Sequence, residues 1–285
     1  MLDRSGSMAG AKWIGAVNAI TRLAAALSND TRVGLTFFPT TRGAENDQAA
    51  YRDPSVPVQP LSQSRSEIAR ALSSTRPMGG TPMGCGMEGA VEYMRRRSTV
   101  GASRSIILIT DGQPSGNCGN TAGTTSETRV LSAAGLGATA APPVRTFVLG
   151  TPNARRAFLS QLAVRGGTQR AAGCDATQDC HYSLADETFE RDVNAALDQV
   201  RHRTAGCQIV MPESYAFDPM DIVLTFTRAG GAGQIVRRDG NRTDGWDLLP
   251  DGRTITLFGP MCGEIRAGTA TYDLAVGCTP SVADP

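Results

Sequence analysis

Apolar residues along the longer first part of the chain fall into two rhythms that take turns. Between residues 10 and 27, Trp13, Ile14, Val17, Ile20, Leu23, Ala24 and Leu27 recur at helical spacing and predict a helix with one apolar face. Residues 33–38 are then a short apolar run stopped by Pro39, which predicts a strand. The exchange repeats downstream. Residues 64–73 and 83–97 read as helices, 105–110 as a strand, 127–136 as a helix, 144–149 as a strand, and 154–164 and 187–201 as helices. The run Ile106-Ile107-Leu108-Ile109 is apolar without alternation, as a parallel strand covered on both faces would be. Strands alternating with helices of this length predict an α/β fold built on a doubly wound, mostly parallel sheet. Two polar stretches interrupt the pattern: residues 40–60, with several prolines, and the Gly-, Ser-, Thr- and Asn-rich residues 113–126. Both read as surface loops.

After Thr204 the rhythm changes. Short alternating segments at 207–211, 221–227, 234–237, 254–258 and 271–276 are separated by turn signals such as Asp239-Gly240 and Asp251-Gly252. The expectation is a domain over residues 1–203 followed by a small all-β unit over 204–285.

Composition narrows the functional classes. The chain has 285 residues, 40% hydrophobic and 19% charged, the profile of an ordinary globular protein. A net charge of +1 gives no electrostatic case for nucleic acid or an anionic membrane. Lys12 is the only lysine among 28 basic residues, which reads as a coding bias toward arginine. Arg95, Arg96 and Arg97 fall at a helix end, where cations complement the dipole. The sequence has no apolar run of the ~18 residues that a membrane span needs. Seven cysteines with no Cys-x-x-Cys spacing, beside only His181 and His202, serve a zinc site poorly. They read better as disulfides in an oxidising compartment.

No Gly-x-Ser-x-Gly elbow, His-Glu-x-x-His or phosphate-binding Gly-x-x-x-x-Gly-Lys-[Ser/Thr] is present, so no catalytic residues are assigned. The chemistry-bearing pattern is instead Asp3-Arg4-Ser5-Gly6-Ser7, three short oxygen-bearing side chains at alternate positions. Such a loop suits a hard cation that wants oxygen ligands. A helix cap is the plain structural reading of the same residues. Two other segments join it: Gly79-Gly80-Thr81-Pro82, a hydroxyl in a glycine-rich turn before a helix, and Thr110-Asp111-Gly112, an acid just past a buried strand. In open α/β sheets, ligand sites lie at the carboxyl ends of strands, where all three segments fall.

Together these motifs resemble the von Willebrand factor type A domain with its metal-ion-dependent adhesion site, over about residues 1–203. That resemblance implies that Asp3, Ser5, Ser7, Thr81 and Asp111 hold one Mg²⁺ or Mn²⁺, with the hydroxyls direct ligands and one or both carboxylates acting through water. It further implies an open position for a protein ligand that offers a carboxylate. Such a domain should open with a longer apolar strand than Met1-Leu2, so the first strand reads as cut short, with a secretion signal upstream. The β-rich extension resembles those of secreted bacterial proteins, and the location implied is extracellular or on the cell surface. The function implied is divalent-cation-dependent binding or adhesion, not enzymatic. The alternative is an intracellular assembly subunit of a chelatase-like machine; a hydrolase using the cation to activate water is the third class. Glu88, the acid nearest Thr81 on the following helix, reads as a solvated face residue.

Because the loops after Thr81 and Asp111 must converge on one ion, Cys85 and Cys118 are expected to pair, with two buried thiols as the alternative. Cys174 and Cys180 are expected to close a small polar loop. In the β unit Cys207 with Cys278 is favoured and Cys262 with Cys278 is the alternative, one cysteine being left over.

Overall fold

The computed structural model describes residues 1–285 apart from 28, 98–103, 116–117, 119–125, 141–142, 152–153, 172, 185–190, 195–196, 198–206, 212–216, 229, 250–251, 268 and 277–285. The chain divides into two compact units, Met1–Val200 and Arg201–Pro285.

The first unit is built on a five-stranded sheet in the order β3-β1-β5-β6-β7, every neighbouring pair parallel. Its strands are β1 (Leu2–Asp3), β3 (Phe37–Phe38), β5 (Arg104–Thr110), β6 (Val144–Gly150) and β7 (Tyr182–Ser183). Period-two alternation sends side chains of one strand into two separate cores. Ile109, Phe147 and Leu149 join Leu2 and Phe37 in a cluster with α1 (Ala11–Ala26) and α2 (Leu61–Ser74). Ile106, Leu108, Val144 and Val148 pack on the other face with α3 (Met83–Arg96), α4 (Ser126–Ala138) and α5 (Arg156–Arg165). Burial on both faces is why the β5 and β6 sequences carry almost no polar alternation. The helix expected over 187–201 falls mostly outside the described residues; 191–194 are helical.

Two local expectations need correction. The apolar run 33–38 is two strands in two sheets. β2 (Arg32–Leu35) pairs antiparallel with β4 (Val56–Pro60), a register shift falls between Val33 and Leu35, and the chain then enters the parallel sheet as β3. β4 itself ends the stretch read as loop. Pro57 and Pro60 hid it, since proline in a strand is tolerated only at edges, and β4 is an edge.

The second unit holds two three-stranded antiparallel sheets. β9 (Ile222–Arg228) lies between β10 (Gln234–Val236) and β13 (Ala270–Val276), and β12 (Thr254–Phe258) lies between β11 (Gly245–Leu248) and β8 (Gln208–Val210). Ile222, Leu224 and Phe226 alternate inward from β9 and meet Trp246, Ile255, Leu257 and Ile265. The unit is not wholly β: Pro260–Ala267 is a helix.

Among the described residues three disulfides are present, with Cα–Cα distances of 5.4 Å for Cys85–Cys118, 5.2 Å for Cys174–Cys180 and 5.3 Å for Cys207–Cys262. The first two are the expected pairs. The third overturns Cys207–Cys278: the helix places Cys262 beside Cys207 in the core of the second unit, and Cys278 lies outside the described residues.

Candidate functional site

Two strand ends bring the acids to one edge. β1 lies between β3 and β5, with Leu2 opposite both Phe37 and Ile109, so the chain leaves β1 at Asp3 and β5 at Thr110 on the same side. Asp111 is the next residue. Backbone bonds then clamp the third segment onto the first: Met78 N donates to Arg4 O at 2.6 Å and Gly6 N to Gly79 O at 3.1 Å. Gly79 has φ +80°, and a Cβ there would meet the Glu45 carboxylate at 2.6 Å, so only glycine fits this turn. Thr81 is fixed from the other side by Ser115. Thr81 N donates to Ser115 Oγ and Ser115 N donates to Thr81 O, each at 2.8 Å.

The side chains form one network. Ser5 Oγ and Ser7 Oγ are 3.1 Å apart, and Ser7 Oγ donates to Asp111 Oδ1 at 2.8 Å. Asp3 Oδ1 accepts from Ser5 N at 2.8 Å and Oδ2 from Thr110 Oγ1 at 2.6 Å. Thr81 Oγ1 and Asp3 Oδ2 both face the space where Gly112 lacks a side chain. A Cβ on Gly112 would lie 3.1 Å from the first and 3.6 Å from the second. All five expected residues therefore meet at this edge: Ser5, Ser7 and Asp111 through hydrogen bonds, Asp3 and Thr81 across the space beside Gly112. Asp3, Ser5, Thr81 and Asp111 are buried, and Ser7 is the exposed member.

The electrostatics show what the cluster lacks. Burial pushes the Asp3 carboxyl up to about 6, against the pull of hydrogen bonds from Thr110 and Ser5, and the nearby Asp111 adds to the rise. Both donors to Asp3 are neutral. Asp111 differs, because Lys12 Nζ donates to its Oδ2 at 2.7 Å. A set of hard oxygens around a small gap, with one buried acid short of positive charge, fits a hard divalent cation and does not fit a soft metal.

Several residues of this edge were not legible in the sequence. In the sequence Thr110 reads only as the end of a strand, and Ser115 only as loop. Glu45, from the polar 40–60 stretch, accepts Gly80 N at 3.2 Å. Lys12 reads as composition, although its being the only lysine is a usable signal. Glu88 is not a free surface acid. It holds Arg129 of α4 through two oxygens, at 2.5 and 2.6 Å, and accepts from Gln48 at 2.9 Å, so it ties three elements together.

Two other clusters hold groups that can ligate or react. Cys174, Asp179 and Cys180 place ligand atoms within 4.8 Å of one another, but both sulfurs are spent in a disulfide. His181 Nδ1 lies 2.9 Å from Ser160 Oγ, and that oxygen also accepts from Cys180 N at 3.2 Å. Ser160 and His181 are both buried. His202 lies outside the described residues.

His181 does carry a pH dependence. Burial, helped by the Arg156 and Arg170 charges and opposed by Asp179, pushes its pKa down to about 4, against about 6.5 in an unfolded chain. Below pH ~6.5 the unfolded chain takes up a proton that the folded imidazole refuses, so stability is complete above that pH and falls as pH drops toward ~4. Denaturant unfolding at pH 7 and pH 4 should differ by on the order of 2 kcal/mol from this group. His181→Gln should flatten that slope, and equal slopes in the two proteins would assign the loss to other groups.

Comparison with known proteins bears on the whole first unit. The von Willebrand factor type A domain family matches residues 1–193. No curated protein matches the chain closely enough to count as a relative. Among solved structures, a von Willebrand factor type A protein from Catenulispora acidiphila aligns at 14% identity and TM-score 0.47, covering 90% of this chain and 52% of its own. The conserved hypothetical protein BatB from Bacteroides thetaiotaomicron aligns at 18% and 0.41, covering 69% and 96%. The pilus adhesin SpaC from Lactobacillus rhamnosus GG aligns at 13% and 0.46, covering 96% of this chain and 38% of that protein. This chain thus spans about half of the first of these proteins and less of the adhesin. With the parallel sheet, its two helical layers and the family match across most of the chain, the protein belongs to the von Willebrand factor type A domain family.

Proposed function

We propose that this chain is a divalent-cation-dependent binding module that captures an acidic protein ligand at the Asp3–Ser7 edge. The observation that carries the reading is the convergence of the Asp3, Ser5, Ser7, Thr81 and Asp111 oxygens, with Asp3 buried and, among the described residues, without a cationic partner. Ser5, Ser7 and Thr81 would offer hydroxyls and Asp3 and Asp111 carboxylates to Mg²⁺ or Mn²⁺. When bound, the ion would supply an electrophilic position for a partner's carboxylate. The side chains are held ready: Ser5 and Ser7 by the loop clamped to Gly79, Thr81 by Ser115, Asp3 by Thr110. Such preorganisation lowers the ordering cost of capture.

The module acts in recognition and not in catalysis. Hydrolysis needs a base and a leaving-group acid beside the reacting atoms. Asp3 and Asp111 are both committed within the cluster, and Glu88 is held by Arg129. Three disulfides favour an extracellular or cell-surface setting, and weigh against an assembly subunit in a reducing cytosol. Among the described residues no helix is long and apolar enough to cross a membrane.

Calorimetric titration with Mg²⁺ tests the reading. Asp3→Ala is expected to abolish binding while circular dichroism stays unchanged, and EDTA should reversibly abolish capture of acidic partners by the wild-type chain. Undiminished Mg²⁺ affinity in Asp3→Ala would sink the assignment.

A further inference from the structure

Lys12 combines three unusual facts. It is the only lysine among 28 basic residues. It stands in the first turn of α1, where a cation works against the helix dipole. Its ammonium sits on Asp111, whose side chain is only 1% exposed, with Lys12 itself at 21%. Elsewhere the chain pairs its acids with arginine, as in Arg129–Glu88, Arg155–Glu127 and Arg238–Asp247. Arginine grips a carboxylate with a planar fork of donors, whereas lysine presents a compact point charge on a flexible stem. A compact cation can neutralise a metal-site carboxylate and can also leave.

We propose that Lys12 is a built-in cation that occupies Asp111 in the metal-free protein and gives up that carboxylate when a divalent ion binds. This rests on the reading of the site given above. Asp111 Oδ1 already accepts from Ser7 and Oδ2 from Lys12, so the carboxylate has both oxygens engaged before any ion arrives. An ion that draws on Asp111 Oδ2 must break or lengthen the Lys12 bond. The ion therefore competes with a tethered charge, and the site is tuned to a weaker affinity than its oxygens alone would give. In return, the metal-free fold is spared an uncompensated buried acid next to Asp3. Asp3, which has no such partner among the described residues, is left to the ion.

The test compares the EDTA-stripped full chain with Lys12→Met and Lys12→Arg, by Mg²⁺ calorimetry and by thermal unfolding in EDTA. Lys12→Met keeps the stem and removes the charge. It should bind Mg²⁺ about tenfold more tightly, or about 1.4 kcal/mol, while melting lower than wild type in EDTA. Lys12→Arg, whose fork holds Asp111 more firmly, should bind more weakly than wild type. The order of affinity Met, Lys, Arg supports the proposal, and if the Met variant does not fold the Lys-to-Arg comparison decides alone. Binding that is unchanged or weakened in Lys12→Met, or unchanged in Lys12→Arg, overturns the tethered-cation role and leaves the metal site standing. Folded proteins that all fail to bind Mg²⁺ overturn the metal site and the role of Lys12 together.

Discussion

Gly89→Ala is expected to destabilise the first unit by about 3 kcal/mol, although alanine is the better helix former by about 1 kcal/mol. Gly89 lies in α3, and a Cβ there would stand 2.2 Å from the carbonyl oxygen of Tyr51 and 2.7 Å from its Cβ. A backbone oxygen cannot rotate away as a side-chain end can. The helix and the 3₁₀ turn Gln48–Tyr51 would have to separate. That turn anchors the polar loop above the candidate site: Tyr51 donates through its hydroxyl to Glu45 O at 2.6 Å and accepts from Thr40 N at 3.0 Å. Overlap therefore outweighs propensity. The same substitution at Gly135 in α4, where a Cβ would meet nothing within 4 Å, should instead stabilise by roughly 0.5–1 kcal/mol. Thermal unfolding should show a fall of roughly 10 °C for the first variant and a small rise for the second. A neutral Gly89→Ala would mean that α3 and the turn slide apart without loss.

The fold was most legible where burial is symmetric and least where the chain changes partners. β5 and β6 announce themselves because both faces are covered, and α1 and α3 because one face is. The run 33–38 reads as one strand since apolarity is continuous across it. What divides it is a change of sheet beside a close approach at Gly34, where a Cβ would meet Val56 O at 2.7 Å, and no pattern of apolar residues reports that contact. The Cys207–Cys262 bond was hidden for a related reason. Its geometry depends on the helix Pro260–Ala267, which falls between two alternating segments and leaves no mark on their pattern.

The site divides the same way. Asp3, Ser5, Ser7, Thr81 and Asp111 are visible in sequence because each follows a strand or opens a helix, where short oxygen-bearing residues stand out. Their supports are visible only in three dimensions. Ser115, Thr110 and Glu45 act across long separations, and their types are common in loops.

Arg4 is the clearest of these hidden supports, and Arg4→Met should cost about 3 kcal/mol or more. It occupies a variable-looking position inside Asp3-Arg4-Ser5-Gly6-Ser7, yet it is buried. Its Nε donates to Pro39 O at 2.8 Å, one terminal nitrogen to Thr40 O at 2.9 Å and the other to Arg76 O at 3.0 Å. The guanidinium thus closes three carbonyls that belong to the end of β3 and to the segment leading into the Gly79 turn. Its own backbone bonds Phe38 O and Met78 N. Methionine fills the volume but leaves those carbonyls without donors, and a buried unpaired group costs about 1–3 kcal/mol. Lysine, with a single nitrogen, cannot span the three and should recover only part of the loss. Because Met78 and Gly79 carry Thr81 to the site, Arg4→Met should also weaken Mg²⁺ binding without touching a ligand atom, and Arg4→Lys should weaken it less. Denaturant unfolding measures the first effect and calorimetry the second. Wild-type stability in Arg4→Met would show that water satisfies the three carbonyls and that the backbone bonds alone hold the turn.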